Sequence, residues 1–208
     1  MGKHKGVVQI KMIRSQIPII LASKSPRRKK LLKQIGLVFR TKSFDVEENL
    51  TQNLPPAKLA KKLALQKLEA AKSQIKNSVI ITADTIVVLE GEILGKPKNK
   101  REAVAMLKKL SGAKHHVYTG FAVYNGVTDE LIADYEKTCV AFRELSEKEI
   151  KEYVASGSPL DKAGSYGIQD DYGAVFVRKI SGCYYNVVGL PLAKVYLALQ
   201  KVLQSEKI

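Results

Sequence analysis

Between Val79 and Leu89 the chain runs Val-Ile-Ile-Thr-Ala-Asp-Thr-Ile-Val-Val-Leu, a nearly continuous apolar and β-branched stretch with a single charge near its centre. Such a run, closed by Glu90-Gly91-Glu92, predicts a strand buried on both faces, which in turn requires a sheet with cover on each side. Asp84 is the anomaly. A carboxylate inside a buried strand is costly unless it is ion-paired, hydrogen-bonded or metal-bound. It is therefore half of a structural ion pair, an acid in a turn where the strand stops short, or a functional carboxylate.

The residues on either side supply the cover. Ile17 to Ala22 reads as a short buried strand, and Ser25-Pro26 then provides an N-cap and a first-turn proline. The helix that follows carries Leu31, Leu32 and Ile35 on one face and stops at Gly36. Leu37 to Phe44 predicts a second strand. Pro55-Pro56 opens a long helix with Leu59, Ala60, Leu63, Ala64, Ala71 and Ile75 at helical spacing. Leu94 lies just beyond the Glu90-Gly91-Glu92 turn, and Lys100 to Leu110 predicts a helix ending at Gly112. Val117 to Tyr124 and Leu131 to Phe142 read as paired strands joined across Asn125-Gly126. Ser146-Glu147-Lys148-Glu149 is a capping box ahead of Ile150, Tyr153 and Val154. Ala174 to Ile180 predicts another strand, and Leu192, Val195, Leu199, Val202 and Leu203 make a closing amphipathic helix. Strands and helices mixed in this way indicate an α/β architecture.

A chain of 208 residues predicts one domain or two closely packed lobes. With 45% hydrophobic and 26% charged residues it is neither disordered nor collagen-like. No apolar run approaches the ~20 residues of a membrane helix. Cys139 and Cys183 cannot make a disulfide framework, and no CxxC or His-x-x-x-His spacing offers a zinc site. The first 16 residues lack the apolar core of a secretion signal, so a soluble, reducing, cytoplasmic setting is expected. Thirty-five Lys and Arg against 20 Asp and Glu give a net charge of +15. That balance suits an anionic partner such as nucleic acid, a nucleotide or an acidic membrane, or is simply a lysine-rich habit. Lys3, Lys5, Lys11 and Arg14 contribute part of it from a stretch without acids.

Several strings can carry chemistry. Ser23-Lys24-Ser25-Pro26-Arg27-Arg28 lies between a strand and a helix start, where unpaired N–H groups, two hydroxyls and two guanidiniums suit phosphate oxygens. It is not a Walker A loop, and the plainer reading is capping with solvated arginines. Lys67 shares the inward stripe of Ala60 and Leu63, so it either points into a cleft or snorkels to water. Lys96 sits between Gly95 and Pro97 in a rigid loop, where it either presents an ammonium to phosphate or is an ordinary surface lysine. Asp45-Val46-Glu47-Glu48 follows a strand and fits either a Mg²⁺ ligand set or a solvated acidic loop. In Gly164-Ser165-Tyr166-Gly167-Ile168-Gln169 the Gln169 amide offers one donor and one acceptor edge to a base.

Together the strings Leu21-Ala22-Ser23-Lys24-Ser25-Pro26-Arg27-Arg28, Thr82-Ala83-Asp84-Thr85, Gly95-Lys96-Pro97, Leu110-Ser111-Gly112 and Val117-Tyr118-Thr119-Gly120 resemble the Maf-like nucleoside triphosphate pyrophosphatases. Asp161-Lys162-Ala163-Gly164, Tyr166-Gly167-Ile168-Gln169 and Asn186-Val187-Val188-Gly189-Leu190-Pro191 extend the match, which covers about Ile17 to the C-terminus. The resemblance implies an elongated two-lobed mixed sheet flanked by helices around a deep central cleft, similar to inosine triphosphatases, and usually a homodimer. It divides the chain into a basic, flexible extension over residues 1–16 and a single domain of two lobes over 17–208. Met12 as an alternative start would also account for the extension.

The implied reaction splits a nucleoside triphosphate into monophosphate and pyrophosphate with a divalent cation, Mg²⁺ or Mn²⁺. By the same resemblance Asp84 would accept the proton of the attacking water, and Glu48 and Asp84 would hold the metal. Ser23, Arg28, Lys67 and Lys96 would contact phosphate, and Arg27, Thr85 and Gln169 would discriminate the base. Arg27, Thr85 and Gln169 together resemble the branch acting on dTTP and UTP rather than the one preferring 7-methyl-GTP, with removal of non-standard pyrimidine nucleotides as the expected role. Lys24, Ser158 and Asp170 depart from the family pattern, the last in the base-side loop. The competing class is a non-enzymatic basic nucleic-acid-binding protein, but 7% aromatics, no Trp and no RRM or helix-turn-helix string argue against it.

Overall fold

In a computed structural model, which describes residues 13, 15–44, 46, 54–169 and 172–204, the run Val79–Leu89 is a single strand, β3, and every residue of it except Thr85 is buried. The strand does not stop short at Asp84. Before it come β1 (Ile19–Ala22), α1 (Pro26–Gln34), β2 (Arg40–Lys42) and α2 (Pro56–Lys72). After it come β4 (Glu92–Leu94), α3 (Lys100–Leu110), β5 (Lys114–Asn125), β6 (Leu131–Phe142), α4 (Glu147–Ala155), β7 (Val177–Ser181), α5 (Tyr184–Val188) and α6 (Leu192–Gln204). The described residues form one open sheet of seven strands, in the order β2-β1-β3-β5-β6-β7 with β4 added on β3. β1 is parallel to β2 and β3, and all other pairings are antiparallel. This is the expected mixed sheet flanked by helices.

The pairing of β3 is lopsided. β5 follows it from Val79 to Val88, so β1 and β4 must share its other edge. β1 holds Val79 to Ile81 and β4 holds Val87 to Leu89, so among the described residues Thr82 to Ile86 have no strand neighbour on that side. Alternation of side chains then sorts the core. On one face Ile80, Ile86 and Val88 pack under α2, against Leu59, Leu63 and Leu68. On the other, Val79, Ile81 and Ala83 meet Leu31 and Leu32 of α1 and Val195 and Leu199 of α6, whereas Val87 and Leu89 meet Leu107 of α3 and Tyr153 of α4. Thr85 falls between these two clusters, opposite a gap in the core.

The register of α2 on the sheet is set by two contacts. Thr82 Oγ1 donates to Ala64 O at 2.8 Å, and Gly120 of β5 lies so close beneath the helix that a Cβ there would stand 2.1 Å from Ala60 O. Both predicted caps form: Ser25 accepts from Arg28 N, and the Ser146/Glu149 capping box is complete; α3 is also capped, by Asn99, which accepts from Glu102 N. The differences have tertiary causes. β2 spans only Arg40–Lys42, because Leu37 and Phe39 turn into the core as irregular chain. α2 ends at Lys72, and Ile75 packs beyond it. Tyr172–Phe176 is a 3-10 turn rather than strand, its Phe176 ring buried against Phe142 and Tyr153. The β-prone Tyr184–Val188 is helical because buried Asn186 donates to Val117 O and Thr138 Oγ1 at 3.0 and 2.8 Å.

Apart from Ile13, Ser15 and Gln16, the basic extension lies outside the described residues, as do Asp45, Glu47, Glu48 and Asp170. Among the described residues no helix is long and apolar enough to cross a membrane. Gly120→Ala should lower unfolding stability by about 3 kcal/mol or more, since a methyl meeting backbone cannot be accommodated by a rotamer change. A urea unfolding curve with its midpoint unmoved would contradict this packing.

Candidate active site

The strand gap on β3 is where the chemistry-bearing residues converge. β1 ends beside it, so Ser23, Lys24, Ser25 and the N-terminus of α1 arrive on one flank, with no acid in the first turn to offset the helix dipole. β4 runs back toward Val87, so Gly95 and Lys96 arrive on the other. α2 crosses the face on which Asp84 points, and Lys67, one turn beyond the Ala64 contact, forms a salt bridge with Asp84 Oδ1. Asp84 is only 5% exposed, so the ammonium compensates a charge that water does not reach freely. Sequence spacing left Lys67 between cleft and solvent, and the structure puts it in the cleft.

On the opposite face Thr85 is held in a polar cluster around Arg28. The Arg28 guanidinium is buried and donates to Gly189 O at 2.8 Å, Ser23 Oγ at 3.3 Å and Thr85 Oγ1 at 3.1 Å. It thereby ties α1, β3 and the end of α5 together. Thr85 Oγ1 also lies 2.9 Å from Thr119 Oγ1 of β5, which donates to Asn186 O at 3.0 Å. Arg27 spans the cleft instead, donating to Asp161 Oδ2 at 2.7 Å and Asp161 O at 3.2 Å. Burial pushes the Asp161 carboxyl up, but hydrogen bonds from Lys162 and Arg27 outweigh it and hold the group below the usual carboxylate range.

The resulting cleft has two chambers that share Ser25, Arg27, Arg28, Lys67, Lys96 and Asp161. One is walled by Ala22, Ser23, Lys24, Pro26, Phe44 and Val46, and its charged side chains are all cations except Asp161. The other, about 860 Å³ of space including its open mouth, is lined by Asp84, Thr85, Tyr166, Gly167, Gln169 and Val187 to Gly189. The first suits a polyphosphate and the second a planar, partly apolar group. Of the residues singled out in the sequence, Ser23, Arg27, Arg28, Lys67, Asp84, Thr85, Lys96 and Gln169 all line this cleft. Glu48 lies outside the described residues, and among these no cluster of three metal-ligating side chains occurs.

The floor of the second chamber was not foreseen. Tyr166 Oη meets His115 Nε2 at 2.8 Å, Gly167 N donates to Tyr153 Oη at 3.2 Å, and Ser165 Oγ lies 3.1 Å from Met106 Sδ. These bonds pin the turn that presents Gln169 to buried side chains of α3, α4 and β5. Nor does the local sequence around Asp161 point to its contact with Arg27. A buried histidine opposite a tyrosine 51 positions away leaves no local pattern, whereas Asp161 in Ser158-Pro159-Leu160-Asp161 carries at least a turn signature.

A family model described as Maf-like protein matches residues 18–202 of the chain. A dTTP/UTP pyrophosphatase of Caldicellulosiruptor saccharolyticus is 46% identical over 188 residues, 88% of this chain and 94% of that protein. A dTTP/UTP pyrophosphatase of Pelotomaculum thermopropionicum is 46% identical over 183 residues, with 88% and 95% covered. One of Bacillus anthracis is 49% identical over 183 residues, with 88% and 94% covered. Among solved structures, a HAM1 protein from Coxiella burnetii aligns at a TM-score of 0.48 and 13% identity, over 89% of this chain and 99% of that one.

Burial, with a smaller contribution from neighbouring His116, lowers the His115 pKa from 6.5 to about 4. The folded ring stays neutral where the unfolded chain takes up a proton, so this group's contribution to stability is complete above pH 6.5 and is lost as pH falls towards 4. Stability should decline over that window with a slope of up to about 1.4 kcal/mol per pH unit, and His115→Phe should flatten most of it in urea unfolding measured from pH 7 to 5. A variant with the same slope would mean that His115 is not the group that titrates.

Proposed function

The chain belongs to the Maf-like family, and from that membership we propose that its cleft hydrolyses dTTP and UTP to the nucleoside monophosphate and pyrophosphate. The observation that carries this reading is the Lys67–Asp84 pair set in the strand gap, beside a cationic chamber on one side and a base-sized chamber on the other. The triphosphate occupies the cationic chamber, with the start of α1, Ser23, Lys24 and Lys96 offsetting its charge. The nucleobase occupies the chamber of Thr85, Tyr166 and Gln169. The α-phosphorus then lies near Asp84, where the two chambers meet.

Asp84 accepts a proton from water as the water oxygen bonds to the α-phosphorus and the bond from that phosphorus to the bridging oxygen breaks, releasing pyrophosphate. Lys67 lines both chambers, so entering phosphates compete with Asp84 for its ammonium and free the carboxylate for its task. Arg28 acts chiefly by position, since three of its donors already brace the site. One buried carboxylate next to a phosphate chamber fits a hard divalent ion that takes its other ligands from substrate and water. Asp84, with Glu48, would hold Mg²⁺ or Mn²⁺, which when bound neutralises charge on the phosphates. The same reading makes the protein a cytoplasmic homodimer whose partner is a nucleotide rather than nucleic acid.

Incubated with single nucleotides and Mg²⁺ or Mn²⁺, the protein should release pyrophosphate, not phosphate, from dTTP and UTP. Asp84→Asn should lower kcat by about 100-fold or more, with the fold retained by circular dichroism. Lys67→Met should raise KM and also cost stability, since it strands a buried carboxylate. Tight, salt-sensitive DNA binding without turnover would overturn the reading.

A further inference from the structure

The two bases named in the related enzymes, thymine and uracil, share an imide edge: carbonyl, N3–H, carbonyl. Cytosine presents an amine, an unprotonated N3 and a carbonyl. Gln169 cannot tell these apart alone, because its amide can turn over and exchange donor for acceptor. A hydroxyl rotates as freely, unless something fixes its hydrogen.

Thr85 is the only β3 residue that is not buried, and it lines the second chamber. Its hydrogen is fixed by neighbours. Thr119, fully buried, has one hydroxyl hydrogen, and at 3.0 Å the Asn186 carbonyl can only receive it. At the 2.9 Å contact between the two threonines Thr119 is therefore the acceptor and Thr85 the donor. The competing acceptor for Thr85, Gly189 O, is at 3.5 Å and already takes Arg28 Nε at 2.8 Å. Arg28 Nη2 adds a donor aimed at Thr85 Oγ1 at 3.1 Å. With its hydrogen committed to Thr119 and one lone pair taken by Arg28 Nη2, the Thr85 hydroxyl keeps a single lone pair for a group in the chamber that Thr85 lines. It can accept a hydrogen bond from a base and cannot give one.

Resting on the proposed function above, we infer that Thr119 is a positioning residue for specificity. By holding the Thr85 hydroxyl in acceptor mode, it selects bases with a protonated N3 and rejects cytosine, whose N3 would face lone pair to lone pair. A site that leaves such polar groups facing each other unpaired discriminates strongly.

The test is the ratio of kcat/KM for UTP over CTP in wild type, Thr119→Val and Thr119→Ser, with calorimetric binding of UMP and CMP alongside. The wild type should favour UTP. Thr119→Val releases the Thr85 hydrogen and should shrink the ratio about tenfold or more, mainly through gain on CTP. Thr119→Ser keeps the hydroxyl and should restore it, a rescue that a mere packing role would not show. A folded Thr119→Val with an unchanged ratio, or a serine variant that falls as far as the valine one, overturns the inference. If the valine variant does not fold, the wild type still decides: equal use of UTP and CTP overturns the inference, and strong preference for UTP retained by Thr119→Ser supports it. Should the wild type hydrolyse neither nucleotide, the proposed reaction fails, and UMP against CMP binding judges the Thr85 polarity separately.

Discussion

A carboxylate in the middle of a buried strand has to be compensated, and much of this structure can be understood as the means of doing so. Lys67 reaches Asp84 only because α2 lies at one height on the sheet, fixed by the Thr82 hydroxyl on Ala64 O and by the missing side chain at Gly120. Neither contact involves the ion pair itself. Among the described residues the outer edge of β3 has no strand partner at that point, and Asp84 borders a cleft rather than continuous protein.

The same gap separates two tasks along one strand. Adjacent residues of β3 point to opposite faces, so Asp84 works with α2 while Thr85 works with α1, β5 and α5. The Asp84 carboxylate and the Thr85 hydroxyl are thus one residue apart and reach Lys67 on one face and Arg28 and Thr119 on the other. Arg28 links α1 to the Thr85 side, and Arg27, its neighbour in the chain, links α1 to Asp161 across the cleft. Helices and loops from distant parts of the chain meet there because parallel β1 and antiparallel β4 end facing each other on a single strand edge.

Elements with strong local signals were legible from the start. The β3 run, the Ser25-Pro26 start of α1 and the Ser146/Glu149 capping box all depend on residues within a few positions of one another. The readings that failed were those where distant packing overrode propensity. Ala174 to Phe176 leaves the predicted strand for a 3-10 turn because the Phe176 ring is drawn into an aromatic cluster, and the second strand is shortened because Leu37 and Phe39 turn into the core. Lys67 shows the same limit within the site, since helical spacing named its face but not its height.

By itself the sequence determined that a long apolar strand would lie at the centre of an α/β sheet, that it would carry one expensive charge, and that an anion-favouring turn would precede the first helix. These follow from periodicity, caps and the cost of burying charge, all local properties. Only the tertiary structure decided which cation met that charge, that Arg27 would be engaged by Asp161, that His115 would anchor Tyr166, and which way the Thr85 hydroxyl would point. Those outcomes depend on contacts between residues far apart in the chain, and hydrogen-bond direction in particular is set by the whole surrounding network, which no stretch of neighbouring residues encodes.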